Sequence, residues 1–343
     1  MSRVTTEAEA PVAAAIKPRK INMLQGINLG LAEAMADSEK VFLIGEDIAD
    51  PQGGGVFKVT QGLSERFGEK RVRSTPISEQ AIIGAAVGAA IAGYRPVAEI
   101  MLMNFITVAM DQVVNHAAKL RFMSGGQTHV PLTIRMATGS GFGNGGQHSD
   151  QLEAWFAHTA GCKVVIPSGP AEAAGLIYAS IFDDDPVIFV ESIPLYYVSG
   201  PAPAPGQRIP LGKARIARAG TDVTLIGYGR SVNDLLMAAQ ALEQEGVAAE
   251  VIDLRTVAPF DAETILTSVA KTRRAVVVHE AVTPFGVGAE ISARIHEELF
   301  SDLKAPVRRV GSNFQPVPFS KPLESDFLYS QAQIFGAVRK TLG

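Results

Sequence analysis

The run Val41-Phe42-Leu43-Ile44-Gly45 follows a helical pattern at Asn22 to Met35 and ends on Glu46-Asp47. A short apolar run bounded by polar residues reads as a buried strand, and a helix feeding such a strand is the unit of an α/β chain. Working outward, the alternation continues with a helix at Gln80 to Ala92, a strand at Pro96 to Met101, a helix at Asn104 to Arg121 and a strand at Pro131 to Met136. A strand at Lys163 to Ile166, a helix at Pro170 to Asp183 and a strand at Val187 to Glu191 follow. That order predicts parallel strands covered by helices on both faces.

The run Ser199-Gly200-Pro201-Ala202-Pro203-Ala204-Pro205-Gly206 cannot continue a helix or a central strand, because proline lacks the backbone donor and glycine relaxes the chain. Beyond it come Val223 to Gly227, a helix at Val232 to Glu245, Ala249 to Leu254, a helix at Ala262 to Lys271 and Ala275 to His279. The expected division is an arm over 1–20, a first domain over 21–198, a linker over 199–210 and a second, smaller domain over 211–343. Both domains should be doubly wound parallel sheets.

At 343 residues the chain exceeds the usual size of a single core. With 47% apolar residues, 19% charged ones and a net charge of −4 it has no basic footprint, so a nucleic-acid partner is not expected. The longest apolar stretch, Ala81 to Gly93, falls short of the roughly 20 residues that span a bilayer and predicts a buried helix and no membrane segment. The first twenty residues lack a clean apolar run, which predicts a disordered arm rather than a secretory signal. A single cysteine, Cys162, excludes an internal disulfide and fits a cytoplasmic setting.

Three segments carry chemistry. Thr75-Pro76-Ile77-Ser78-Glu79-Gln80 sets a carboxylate at the start of a helix of small residues. Alone, it reads as Ser78 capping the helix with Glu79 favouring its positive end, worth about 0.3 to 1 kcal/mol. A helix so poor in large side chains also permits close approach of another backbone or a ligand. Gly45-Glu46-Asp47-Ile48-Ala49-Asp50 crowds acids at the carboxyl end of a strand, the edge at which open α/β sheets bind ligands, although a solvated turn accounts for it equally. The glycine-rich loop Gly139 to Gly146, ending on Gln147-His148, is either a ligand cradle or a lid, and His148 is placed for proton transfer.

Together with Asn104-Phe105, Asp111-Gln112, Met123-Ser124-Gly125-Gly126, Val251-Ile252-Asp253-Leu254-Arg255-Thr256 and Pro316-Val317-Pro318-Phe319, these segments resemble the beta subunit of the decarboxylating component of thiamine-diphosphate-dependent 2-oxoacid dehydrogenases. The resemblance runs from about Lys20 to Leu342. It implies a thiamine pyrimidine-binding domain followed by a transketolase C-terminal-like domain, and a substrate that is pyruvate, a branched-chain 2-oxoacid or, in a close relative, acetoin. The glutamate matching Glu79 binds N1′ of the cofactor's aminopyrimidine, so that the thiazolium C2 loses its proton; its proton affinity rises in a dry interface. Phe105 matches the segment that stacks on the pyrimidine, and Glu46 matches an acid in a proton path between paired sites. His148 matches a histidine that passes the acyl group to the lipoyl arm of a dihydrolipoyl acyltransferase.

The resemblance also implies a structural potassium ion at positions matching Leu132, Thr133, Ser180, Asp183 and Asp185, where Asp185 replaces the usual asparagine. No Gly-Asp-Gly segment of the kind that holds Mg²⁺ and the diphosphate occurs in the chain. Thiamine diphosphate should therefore be shared with an alpha subunit that carries Mg²⁺, in an α2β2 heterotetramer. Two other readings share much of the pattern: the C-terminal half of a split transketolase, and a non-catalytic scaffold subunit. The segment His279-Glu280 reads as mainly structural, and the second domain is expected to form the dimer contact and dock the acyltransferase core.

Overall fold

Strand order follows from where the apolar residues fall. Thr133–Thr138 and Val187–Ser192 are buried at every position, so they sit in the middle of a seven-stranded sheet. Its order is Thr256–Ala258, Lys163–Val165, Val187–Ser192, Thr133–Thr138, Arg95–Leu102, Val41–Glu46 and Val72–Thr75. All neighbours are parallel except Thr256–Ala258, which runs antiparallel to Lys163–Val165. The computed structural model describes residues 19–204 and 206–343; residues 1–18 of the expected arm, and Pro205 of the linker, lie outside the described residues.

Helices cover both faces of this sheet. On one, Met23–Asp37 starts on a capping box between Asn22 and Gln25 and lies across Pro170–Ile181. The contact is close because two glycines permit it: a Cβ on Gly26 would stand 2.3 Å from the Pro170 carbonyl oxygen, and one on Gly30 2.4 Å from Ile177. On the other face lies Glu79–Ile91, with Ile82, Ile83, Ala86, Val87 and Ala90 buried. The sequence reading made this helix wholly buried, but its opposite side, Ala81, Ala85 and Gly88, faces outward with Ile91.

Beyond the linker a five-stranded sheet runs in the order Arg308–Ser312, Ala275–Val282, Val223–Gly227, Ala249–Asp253 and Arg215–Arg218. Only Arg215–Arg218 is antiparallel to its neighbour. The two sheets share one core, since Ile226, Ile252 and Val277 of the second belong to the same apolar cluster as Ile100, Ile134 and Ile188 of the first. Ser199–Pro201 pairs with Lys20–Asn22 in a two-stranded ladder.

One expected element is broken. The helix foreseen over 104–121 is a 3-10 segment Met103–Ala109, a π turn Gln112–Ala117 and one α turn Leu120–Met123. Tertiary bonds supply the cause: the Asn104 side chain donates to the Gly146 carbonyl and to Asp150, and accepts from the Asp150 amide, which ties the segment's start to the glycine-rich loop. Among the described residues no helix is long and apolar enough to cross a membrane.

Candidate active site

Four neighbouring strands, Val72–Thr75, Val41–Glu46, Arg95–Leu102 and Thr133–Thr138, present their carboxyl ends along one edge. The chain leaving each of them delivers one side chain singled out above. Glu46 ends its own strand and pairs in register with Thr75, and Glu79 opens the helix that follows Thr75. Phe105 lies just past Leu102, and His148 closes the loop that leaves Thr138. Glu79, Glu46, Phe105 and His148 thus form a row at the ligand-binding edge of an open parallel sheet.

Glu46 is almost buried, and burial first, then the charges of Glu79, Asp47 and Glu99, holds its carboxyl above the usual range. Glu79 is only half-buried in the isolated chain, so the dry setting expected for it is not supplied by this chain. Ser78 makes no side-chain capping bond, which removes the simplest reason for that serine at the helix start. Ile77, two residues before Glu79, is 82% exposed, an apolar side chain left without cover beside a carboxylate.

Phe105 and His148 meet edge to face, with ring centroids 5.5 Å apart at 80°. Nδ1 of His148 is buried and has no hydrogen-bond partner, as is true of the hydroxyls of Ser140 and Ser149 in the same loop. Buried polar atoms left open at a sheet edge are places where a ligand or water completes the bonding. The loop itself needs glycine at four positive-φ positions, Gly139, Gly141, Gly143 and Gly145. Asn104 and Asp150 brace its far end, and burial raises the Asp150 carboxyl.

Two sets of residues escaped the sequence reading, apart from Glu280, which it takes with His279 as mainly structural. Behind Glu46, the Arg135 guanidinium is 3% exposed and binds Glu99, which faces it in register, and Glu191, at 2.7 and 2.9 Å. The Tyr196 hydroxyl completes the cluster by donating to Glu191 at 2.5 Å. Charges inside the runs Pro96 to Met101 and Pro131 to Met136 were the available signal. From the second sheet, Glu280 accepts the Ser140 amide at 2.7 Å, and from the helix Lys321–Phe327 of the same domain Glu324 accepts those of Gly141 and Gly143 at 2.7 and 3.0 Å. Glu280 therefore holds the loop, while its neighbour His279 is sealed in the core, its pKa lowered to about 4 by burial.

Leu132, Thr133, Ser180, Asp183 and Asp185 gather at the opposite, amino-terminal edge of the sheet. There the Val187 amide donates to the Leu132 carbonyl, and the Asp185 amide to Asp183. Both carboxylates are already matched by cations: Lys163 contacts Asp183 at 2.7 Å and Asp185 at 3.4 Å, and Arg121 contacts Asp185 at 2.6 Å. A further cation would have to use backbone carbonyls and the buried, unpartnered Thr133 hydroxyl. The largest cavity, about 1150 Å³, adjoins this edge beside Arg121, Lys163 and Asp185. The candidate active site lies at the other edge, along which Glu79, Glu46, Phe105 and His148 follow their strands in order.

Comparison with known proteins gives a concordant picture. The family model "Transketolase, pyrimidine binding domain" matches residues 19–198, and "Transketolase, C-terminal domain" matches residues 212–334. Acetoin:2,6-dichlorophenolindophenol oxidoreductase subunit beta of Cupriavidus necator is 43% identical, with 94% of this chain and 98% of that one covered. Pyruvate dehydrogenase E1 component subunit beta, mitochondrial, of Bos taurus is 44% identical over 94% of this chain and 91% of its own. The namesake subunit of Staphylococcus epidermidis is 42% identical over 94% and 99%. Among solved structures, a split gene transketolase described as an inactive beta4 tetramer superposes with a TM-score of 0.76 at 22% identity, covering 94% of this chain and 98% of that one.

Proposed function

Because the chain belongs to the transketolase-like family of beta subunits of thiamine-dependent 2-oxoacid dehydrogenases, we propose that it is the beta half of a decarboxylating component that oxidises a 2-oxoacid and passes the acyl group to the lipoyl arm of a dihydrolipoyl acyltransferase. The observation that carries the reading is the row Glu79, Glu46, Phe105 and His148 on one sheet edge, with Nδ1 of His148 buried and open. The residues suit the pyrimidine end of thiamine diphosphate: a carboxylate for N1′, an aromatic face beside it and an acid behind. When bound, the cofactor supplies the carbanion that attacks the 2-oxo group. Glu79 holds the proton shared with N1′, Glu46 lends proton affinity from behind, Phe105 orients the ring, and His148 moves a proton during acyl transfer.

No Gly-Asp-Gly occurs in the chain, and no group of three metal-ligating side chains was found among the described residues. Mg²⁺ and the diphosphate accordingly belong to an alpha subunit in an α2β2 heterotetramer, whose surface would cover Ile77 and dry the Glu79 carboxylate. The potassium ion implied at Leu132, Thr133, Ser180, Asp183 and Asp185 remains part of the proposal, held by carbonyls, and no step passes through it. The cytoplasmic setting belongs to the proposal as well. A second reading has a specific observation behind it: the acetoin-oxidising relative matches as well as the pyruvate dehydrogenase subunits do, at 43% against 44% identity.

The test is co-expression with an alpha subunit and dye reduction by pyruvate, branched-chain 2-oxoacids and acetoin in turn. One of them should turn over, and Glu79→Gln should cut that rate by about 100-fold or more, the usual worth of positioned acid–base catalysis. An unchanged rate leaves a scaffold role. Transfer of ketol groups with lipoamide left oxidised would point instead to a split transketolase.

A further inference from the structure

The loop that carries His148 makes almost no bonds to itself: among the described residues its one internal backbone hydrogen bond joins the His148 amide to the Gly145 carbonyl at 3.2 Å. A stretch with four positive-φ glycines and so little internal bonding should wander unless something outside fixes it. Asn104 ties its far end at Gly146 and Asp150, and the rest of what fixes it comes from the other half of the chain. Glu324, 2% exposed, spends one oxygen on the Gly141 amide at 2.7 Å and the other on the Gly143 amide at 3.0 Å. A carboxylate is the one side chain that offers acceptors on both oxygens and no donor. Next along the loop, Phe319 lies against Gly145 so closely that a Cβ there would stand 2.4 Å from its ring, and Gly145 in turn accepts the His148 amide.

We propose that Glu324 is a positioning residue for His148, acting through Gly143 and Gly145, so that the second domain sets the geometry of acyl transfer in the first. The inference rests on the role proposed above for His148. It separates two half-reactions of one enzyme: decarboxylation read out by a dye needs Glu79 and bypasses His148, whereas acylation of a lipoyl domain needs both. Glu324→Gln keeps the volume but turns one acceptor into a donor facing an amide N–H, so the loop loses one of the two bonds that Glu324 gives it.

The experiment uses the reconstituted complex with the alpha subunit and an isolated lipoyl domain. Glu324→Gln should lower lipoyl acylation by about tenfold and leave dye-coupled turnover within twofold of the parent. His148→Ala should lower lipoyl acylation at least as far, and the double variant should acylate no more slowly than His148→Ala alone, because groups acting through one another are not additive. Equal losses in both assays, no loss in acylation, or additive losses would overturn the proposal. Should Glu324→Gln fail to assemble, Phe319→Leu tests the same chain of contacts without a charge change, with the same selective loss expected and the same results overturning it. If the parent complex turns over no 2-oxoacid or acetoin with dye, the family-based reading fails and this inference, which rests on it, falls with it.

Discussion

At the scale of single residues, the buried carboxyl groups divide into those with cationic partners and those without, and the division has consequences for pH. Glu191 shares the Arg135 guanidinium with Glu99, an arrangement in which removing the arginine would strand two buried carboxylates. Glu153 has no such cation. It is fully buried, accepts one bond from the Tyr228 hydroxyl at 2.7 Å, leaves Oε2 without a partner, and is pushed by burial from an ordinary 4.5 up to about 7. Between pH 4.5 and 7 the unfolded chain has lost this proton while the folded chain keeps it, so folding is progressively opposed as pH rises and the effect levels off above about 7. The ceiling is about 3 kcal/mol, at 1.36 kcal/mol per pKa unit. Glu153→Gln should therefore raise the melting temperature at pH 8 and flatten its slope between pH 5 and 7; a variant that melts lower at pH 8 would contradict a Glu153 carboxyl whose ionisation burial opposes.

At the scale of elements, two helices with paired glycines look alike in sequence and differ in place. Gly26 and Gly30 are pressed against Pro170–Ile181, whereas a Cβ on Gly88 would meet no atom within 4 Å. Gly30→Ala should thus cost about 1–3 kcal/mol by overpacking. Gly88→Ala should instead stabilise the isolated chain by about 0.5–1 kcal/mol through backbone entropy and helix propensity. Denaturant midpoints of the two variants check both signs. Gly88→Leu carries the second half of the idea: it should leave the isolated chain folded and block assembly with the alpha subunit, as read by size exclusion. The same contrast explains what the residues disclose on their own. Val41–Glu46 and Val187–Ser192 were legible because buried parallel strands are apolar runs; of the candidate site residues, Glu46 ends such a run, His148 closes a glycine-rich loop after one, Glu79 opens a helix of small residues, and Phe105 was singled out through the resemblance alone. Arg215–Arg218 and Arg308–Ser312 were not, since both are sheet edges carrying arginines in place of an apolar run. Glu324 was beyond reach too, because the amides it holds lie 183 and 181 positions away.

At the scale of the whole molecule, two family models cover the chain, yet the contacts between its halves make it one unit. Thr256–Ala258, from beyond the linker, closes the edge of the first sheet against Lys163–Val165. Ser168 donates to Asp253 at 2.5 Å, and Arg215 bridges Asp253 and Glu172 at 3.2 Å each. Glu153 meets Tyr228 across the same junction, and Glu324, on the helix Lys321–Phe327, holds the loop that leaves the first sheet. These bonds flank an apolar cluster shared by both sheets, so exposing either half would uncover Ile226, Ile252 and Val277 along with Ile100 and Ile134. Burial of that kind, at about 25 cal/mol per Å² of apolar surface, makes partial unfolding unfavourable. The exposed stretch around Gly206, by contrast, is a place where a cut breaks few contacts. A protease site inserted between Gly206 and Gln207 should, once cleaved, leave both fragments co-eluting at the size of the intact protein, with a single calorimetric transition whose van't Hoff and calorimetric enthalpies agree. Two separate transitions, or fragments that part on a sizing column, would show that the halves fold independently. The loop carrying His148 would then lose its anchors with the second domain, while Glu79, Glu46 and Phe105, which the first sheet positions, would keep theirs.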